Sequence, residues 1–291
     1  MKRNREILKF LSRHIRILNL FYRLYVVFSY LITPIKEAFI WLFHSKEYTN
    51  FTYELDNVNK LYLASFVSQV TGAKLDKIEG YIKELECDND LRSHINKIIL
   101  SSSSKWSADP EARYGRRLGW YALVRAVKPK IIVETGTDKG LGSCVFATAL
   151  MKNSEEGFPG FLYSTDINTD AGILFQEPYN SFGKILFGDS IESLKTLNEV
   201  IDVFIHDSNH SSEYEMMEYK TISNKLSDKA LILSDNAHVS SKLWEFARNT
   251  KRDFLFFQEK PKNHWYPGGG IGFAFRNEEH SITEKTENSN G

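Results

Sequence analysis

The sequence predicts an α/β protein: a doubly wound, mostly parallel sheet of seven strands with an antiparallel pair at one edge, plus a helical N-terminal extension. Three observations carry this expectation. From about residue 113 onward, short β-branched runs alternate with helical periods, the pattern of parallel strands joined by covering helices. The last two runs are separated by residues 259–270, which hold two prolines, three consecutive glycines and no helical period, as suits an antiparallel pair. Ahead of residue 113 the apolar residues recur at helical steps of three and four.

A chain of 291 residues with 42% hydrophobic residues is long enough for one α/β domain with an appendage and too short for two full catalytic domains. The 37 basic and 37 acidic side chains cancel, which excludes a global field toward nucleic acid, so no nucleic-acid partner is expected. The cancellation hides an asymmetry. Lys2, Arg3, Arg5, Lys9, Arg13, Arg16 and Arg23 face a single acid, Glu6, whereas the far end carries Glu278, Glu279, Glu284 and Glu287 against Lys285. Cys87 and Cys144 form neither a disulfide framework nor a zinc spacing, which points to a cytoplasmic home.

In chain order, residues 1–50 form a basic amphipathic helical arm, with Ile7, Leu8, Leu11, Ile15, Leu18 and Tyr22 on one face. The charge-free stretch 24–35 is about half the ~20 residues of a spanning helix and is closed by Pro34, Lys36 and Glu37, so it does not read as transmembrane. No secretory signal is expected either. Two readings stay open: residues 5–43 make peripheral contact with the anionic inner face of a membrane, or the arm packs on its own domain or a second copy in a homo-oligomer. Residues 51–112 read as a helical cap or linker, with Leu61, Leu63, Phe66, Val67 and Val70 on one apolar face and Ile78, Tyr81, Ile82 and Leu85 on another, broken by serines 101–104. A helix over 113–127 leads into strands at 131–134, 161–166, 184–187, 200–207, 230–235, 254–258 and 271–275. The polar tail 277–291 is expected to be disordered.

The first strand runs into Glu134-Thr135-Gly136-Thr137-Asp138-Lys139-Gly140-Leu141-Gly142-Ser143, glycines at a strand-to-helix turn where backbone N–H groups can meet a ligand. The spacing is not the dinucleotide fingerprint. Asp166 ends the second strand, where a carboxylate can accept from ribose hydroxyls, and Gly188-Asp189-Ser190 ends the third. Each acid is equally suited to capping the helix that follows.

Together with the edge pair, these motifs resemble the class I S-adenosylmethionine-dependent methyltransferases over residues 113–276. The resemblance implies a Rossmann-like fold and S-adenosyl-L-methionine as cofactor. It gives Glu134, Gly136, Thr137, Gly140 and Ser143 to the methionine portion, Asp166 to the ribose, and Asp189 with Ser190 to the adenine region. The fourth and fifth strands end in His206-Asp207-Ser208-Asn209-His210 and Asp235-Asn236-Ala237-His238. Asp207, Asp235 and Asn236 offer an all-oxygen set suited to Mg2+. That pattern resembles the metal-dependent O-methyltransferases of catechol and macrolide-sugar type, which implies His210 as general base, assisted by Asp207, acting on a sugar, glycolipid or natural-product hydroxyl. His206 and His238 read as structural. Trp265 or Tyr266 could stack on the acceptor, and Tyr114, Arg116 and Arg117 could neutralise an anion. The competing readings are a metal-dependent oxygenase-like or NAD-binding enzyme, and a non-catalytic membrane scaffold on the same fold.

Overall fold

The computed structural model describes residues 16–48, 52–235 and 237–276. The front of the basic arm, Asn236 and the tail 277–291 lie outside the described residues. One seven-stranded sheet organises the rest: β1 (Ile131–Thr135), β2 (Phe161–Asp166), β3 (Gly183–Phe187), β4 (Ile201–His206), β5 (Leu226–Ser234), β6 (Asp253–Gln258) and β7 (Gly270–Phe275), in the order β3-β2-β1-β4-β5-β7-β6. The first five strands are parallel and β7 runs antiparallel to both β5 and β6.

Alternation of side chains explains why both faces are covered. Ile132, Val203 and Ile205 point into one apolar cluster, and Val133, Phe204 and Ile232 into the other. The second cluster is closed by α7 (Ser190–Thr196), α8 (Ser212–Ile222) and α9 (Lys242–Asn249) through Leu194, Tyr219, Ile222, Leu243 and Phe246. Toward the first cluster pack α5 (Arg117–Val127) and α6 (Leu141–Glu155), with Trp120 stacked on Phe146 at 5.3 Å between ring centres.

The segment expected as a cap or linker joins that same core. It forms α2 (Asn57–Thr71), α3 (Leu75–Glu86) and α4 (Asn89–Ser101), and Leu63, Val67, Ile78, Leu85, Leu91 and Ile95 are buried in one cluster with the sheet. Asp56 and Asp88 start α2 and α4 by accepting from the Val58 and Leu91 N–H groups at 3.0 and 2.8 Å, which satisfies donors a helix start leaves open. The helix expected from residue 113 begins at Arg117, because Gly115 takes a left-handed conformation (φ +51°) against Tyr53.

The largest departure is α1 (Arg16–His44). It runs 29 residues through Pro34, where the sequence pattern suggested closure. One proline costs a hydrogen bond and roughly 3 kcal/mol, which a helix with several turns on each side can absorb. By length and composition α1 is able to cross a membrane. At its end α1 packs on the domain, where Trp41 meets Trp265 at 5.4 Å, while Phe28, Tyr30, Phe39 and Phe43 are exposed.

Because Leu63 is fully buried between α2 and α5, Leu63→Ala should destabilise the chain by about 2–5 kcal/mol. Denaturant unfolding followed by far-UV and tryptophan signals should show one coincident transition; a separate early transition of the front helices would contradict a shared core.

Candidate active site

Between β1 and β4 the strand order reverses, and the C-terminal ends of the parallel strands open onto a cavity of about 650 Å³. Its floor is the β1–α6 turn. Gly136 adopts φ +89°, and a Cβ there would sit 2.0 Å from the Asp207 carbonyl oxygen, so only glycine lets β1 leave the sheet beside β4. Asp166 ties this turn down: its Oδ2 accepts from the Thr137 and Asp138 N–H groups at 3.1 and 2.8 Å, and its Oδ1 from Asn168 N–H at 2.9 Å. Beneath the loop Glu134 is buried and accepts from Ser143 Oγ at 2.5 Å and Ser164 Oγ at 2.7 Å. Burial pushes its carboxyl up to about 7 against the two hydroxyl bonds, which favour the charged form. Gly140, at φ +91°, ends the turn where α6 begins.

The third strand end does two jobs. Asp189 caps α7 through Glu192 N–H at 3.0 Å and accepts from Tyr214 O–H at 2.9 Å. Ser190 bonds Tyr214 and donates to Glu218. Both line the cavity, with Tyr214 beside them. Glu218 also accepts from Thr135 Oγ1 at 2.8 Å and Ser208 Oγ at 2.7 Å and lies 2.7 Å from His206 Nδ1, while Glu215 accepts from Tyr219 and Ser234. The sequence reading missed these two acids. Their signal was present: Glu215, Glu218, Tyr219 and Ile222 recur at three- and four-residue steps, so the acids occupy the core face of α8.

At the β4 and β5 ends the structure gathers Asp207, His210 and Asp235 within 4.8 Å of one another. His210 Nε2 is 3.8 Å from Asp207 Oδ1. Burial lowers the imidazole pKa, with Asp235 opposing the shift; Asp207 is raised well above the carboxylate range by burial and by Asp235, against the pull of Arg116. Arg116 was considered only as an anion site, yet it points into this cluster. Its guanidinium pairs with both oxygens of Asp235, Nε toward Oδ1 and Nη2 with Oδ2 at 2.6 Å, and its Nη1 is 3.6 Å from Glu259 Oε1. Of the set expected to hold Mg2+, Asp235 therefore already faces a fixed cation. Asp235 is committed to a guanidinium, so that among the described residues of the cluster Asp207 and the His210 imidazole stand outside that pair; Asn236 lies outside the described residues.

Of the remaining expectations, Arg117 and Tyr266 line the cavity. Tyr114 is fully buried beneath Arg92, Trp265 packs on α1, and His238 is exposed on the turn after β5.

A cavity at the switch point with a glycine turn below it is where open α/β sheets bind ligands. Residues 133–237 match the family model described as a methyltransferase domain. That methyltransferase domain lies on a sheet whose β7 runs antiparallel to β5 and β6. Solved structures of similar fold include the O-methyltransferase of Streptomyces achromogenes involved in tomaymycin synthesis, in complex with S-adenosylmethionine (14% identity, 65% of this chain and 91% of that one, TM-score 0.49). Others are an S-adenosylhomocysteine-bound methyltransferase of Podospora anserina (16% identity, 70% and 95%, 0.47) and a methyltransferase of Geobacter sulfurreducens (18%, 69% and 96%, 0.46). No curated protein matches the sequence.

Glu134 supplies a pH dependence. Its folded pKa is raised from 4.5 to about 7, so the folded state holds the proton more tightly than the unfolded chain. Its contribution to stability is present below 4.5 and lost as pH rises through about 7. Glu134→Gln should flatten the fall in melting temperature across that window; an unchanged slope would place the titration elsewhere.

Proposed function

We propose that the enzyme transfers the methyl group of S-adenosylmethionine to a hydroxyl of a small-molecule or glycan acceptor, with His210 as general base. One observation carries the reading: His210 stands at the rim of the cavity that the glycine turn lines, half-buried beside Asp207. The loop from Gly136 to Gly140 and the α6 start receive the methionine portion. Asp166, with two N–H groups on Oδ2 and one on Oδ1, retains one acceptor site on Oδ1 for a ribose hydroxyl. Asp189, Ser190 and Tyr214 flank the adenine. In the transfer step the acceptor oxygen forms a bond to the methyl carbon as the carbon–sulfur bond breaks, the hydroxyl proton passes to His210, and S-adenosylhomocysteine leaves. A depressed imidazole pKa suits this role, since it keeps the ring neutral and able to accept. No step is assigned to Mg2+.

The same reading places the enzyme in the cytoplasm, with residues 5–43 against an anionic membrane surface. Support comes from the basic run ahead of α1 and from the exposed apolar residues along it. Arg23 and Lys36 bound a charge-free run of about 18 Å at 1.5 Å per residue, short of a ~30 Å hydrocarbon core, which favours lying in the interface over spanning it.

His210→Gln should lower kcat by roughly 10²- to 10⁴-fold while leaving S-adenosylhomocysteine affinity unchanged by calorimetry; undiminished turnover would remove it as the base. The full chain should float with anionic vesicles and be released by salt and by Leu24→Asp with Phe28→Asp. Retention through alkaline extraction would instead establish a spanning helix.

A further inference from the structure

We propose that the Arg116 guanidinium is the resident cation of this active site, standing where related enzymes would carry a divalent ion, so that methyl transfer proceeds without metal. The proposal rests on the transferase reading above. Arg116 is held by every part of the residue. Its side chain donates one hydrogen bond to Asp235, Nη2 to Oδ2 at 2.6 Å, with Nε in ion-pair contact with Oδ1, while Nη1 approaches Glu259 Oε1 at 3.6 Å. The main-chain N–H of Arg116 donates to Glu259 Oε2 at 3.2 Å, and Tyr53 O–H donates to the same oxygen at 3.1 Å. The left-handed turn at Gly115 directly precedes that N–H, and Trp120 lies 5.6 Å beneath the guanidinium.

Burial makes this clamp hard to displace. The Asp235 and Glu259 side chains are 2% and 0% exposed and that of Arg116 only 13%. A divalent ion using Asp235 would have to open a buried ion pair and then sit beside the displaced guanidinium, losing one attraction and gaining one repulsion. Arginine carries its charge throughout the working pH range. It thus supplies a permanent positive charge next to Asp207 and His210 and fixes the Asp235 carboxylate, leaving Asp207 and His210 to meet the acceptor hydroxyl. Arg116 is in this sense a positioning residue for the reacting pair.

The test uses the full chain after exhaustive chelation. Mn2+ added to wild-type protein should keep its full free-ion electron paramagnetic resonance signal, and S-adenosylhomocysteine should bind by calorimetry with the same affinity in chelator and in Mg2+. Arg116→Ala, which leaves three acids facing one another, should gain a Mn2+ site that Arg116→Lys does not. Stoichiometric Mn2+ binding by the wild type, lost in Asp235→Asn, would overturn the proposal even if the alanine variant failed to fold. Failure to bind S-adenosylhomocysteine would strike the transferase reading instead, and the Mn2+ signal reads out separately from it.

Discussion

The buried ion pair of Arg116 with Asp235 and Glu259 ties together parts of the chain that secondary structure alone leaves separate. Asp235 follows β5, Glu259 follows β6, Arg116 opens α5, and Tyr53 comes from the segment before α2. Taking a carboxylate out of water costs several kcal/mol unless a charge or hydrogen bonds replace the solvent. Two such carboxylates meeting one guanidinium therefore fix the antiparallel edge of the sheet relative to the front helices. The active-site wall on that side is a consequence of this satisfaction requirement as much as of apolar packing.

The same requirement shapes the other walls with different partners. Glu218 is satisfied by hydroxyls from β1, α7 and the β4 turn and by the His206 ring; Glu134 is satisfied by two serine hydroxyls. Glu134 has no basic side chain among those hydrogen-bond partners, and the one that Glu218 has is the His206 imidazole. Burial holds the Glu134 carboxyl up at about 7 despite its two hydroxyl partners, whereas Asp235 meets a guanidinium. A cofactor carrying a sulfonium charge would enter a site whose floor holds an acid able to ionise in response.

Most of the sheet was legible because a strand buried on both faces has to be β-branched and apolar, and the acids stood out at the ends of those runs. Asp166, Asp189, Asp207 and Asp235 all reach the cavity where the pattern placed them. What stayed hidden depended on contacts distant in sequence. Arg116 looks like surface charge until Glu259, more than a hundred residues on, is known to face it. Glu215 and Glu218 look like the solvent face of α8, since acids on a helix are most often hydrated. Proline 34 looked like an end because its local cost is real, and only the length of helix on both sides outweighs it.

α1 and the cavity meet at one short loop. Trp41 contacts both His264 and Trp265, while Tyr266, the next residue, lines the cavity and lies 6.0 Å from the Tyr53 ring. Just past α1, Ser45 Oγ and Lys46 N–H both donate to Asp109, at 2.8 and 2.9 Å, anchoring the helix end to the residues that precede Arg116. The base of the exposed helix is therefore packed against both chain segments that frame the cavity mouth. Tyr53 belongs to both sets, donating to Glu259 while its ring faces Tyr266. A rigid-body tilt of α1 would bear on Trp265 and through it on the tyrosine pair before it reached the sheet, because the buried clamp at Arg116 resists displacement while the loop is bounded mainly by ring contacts.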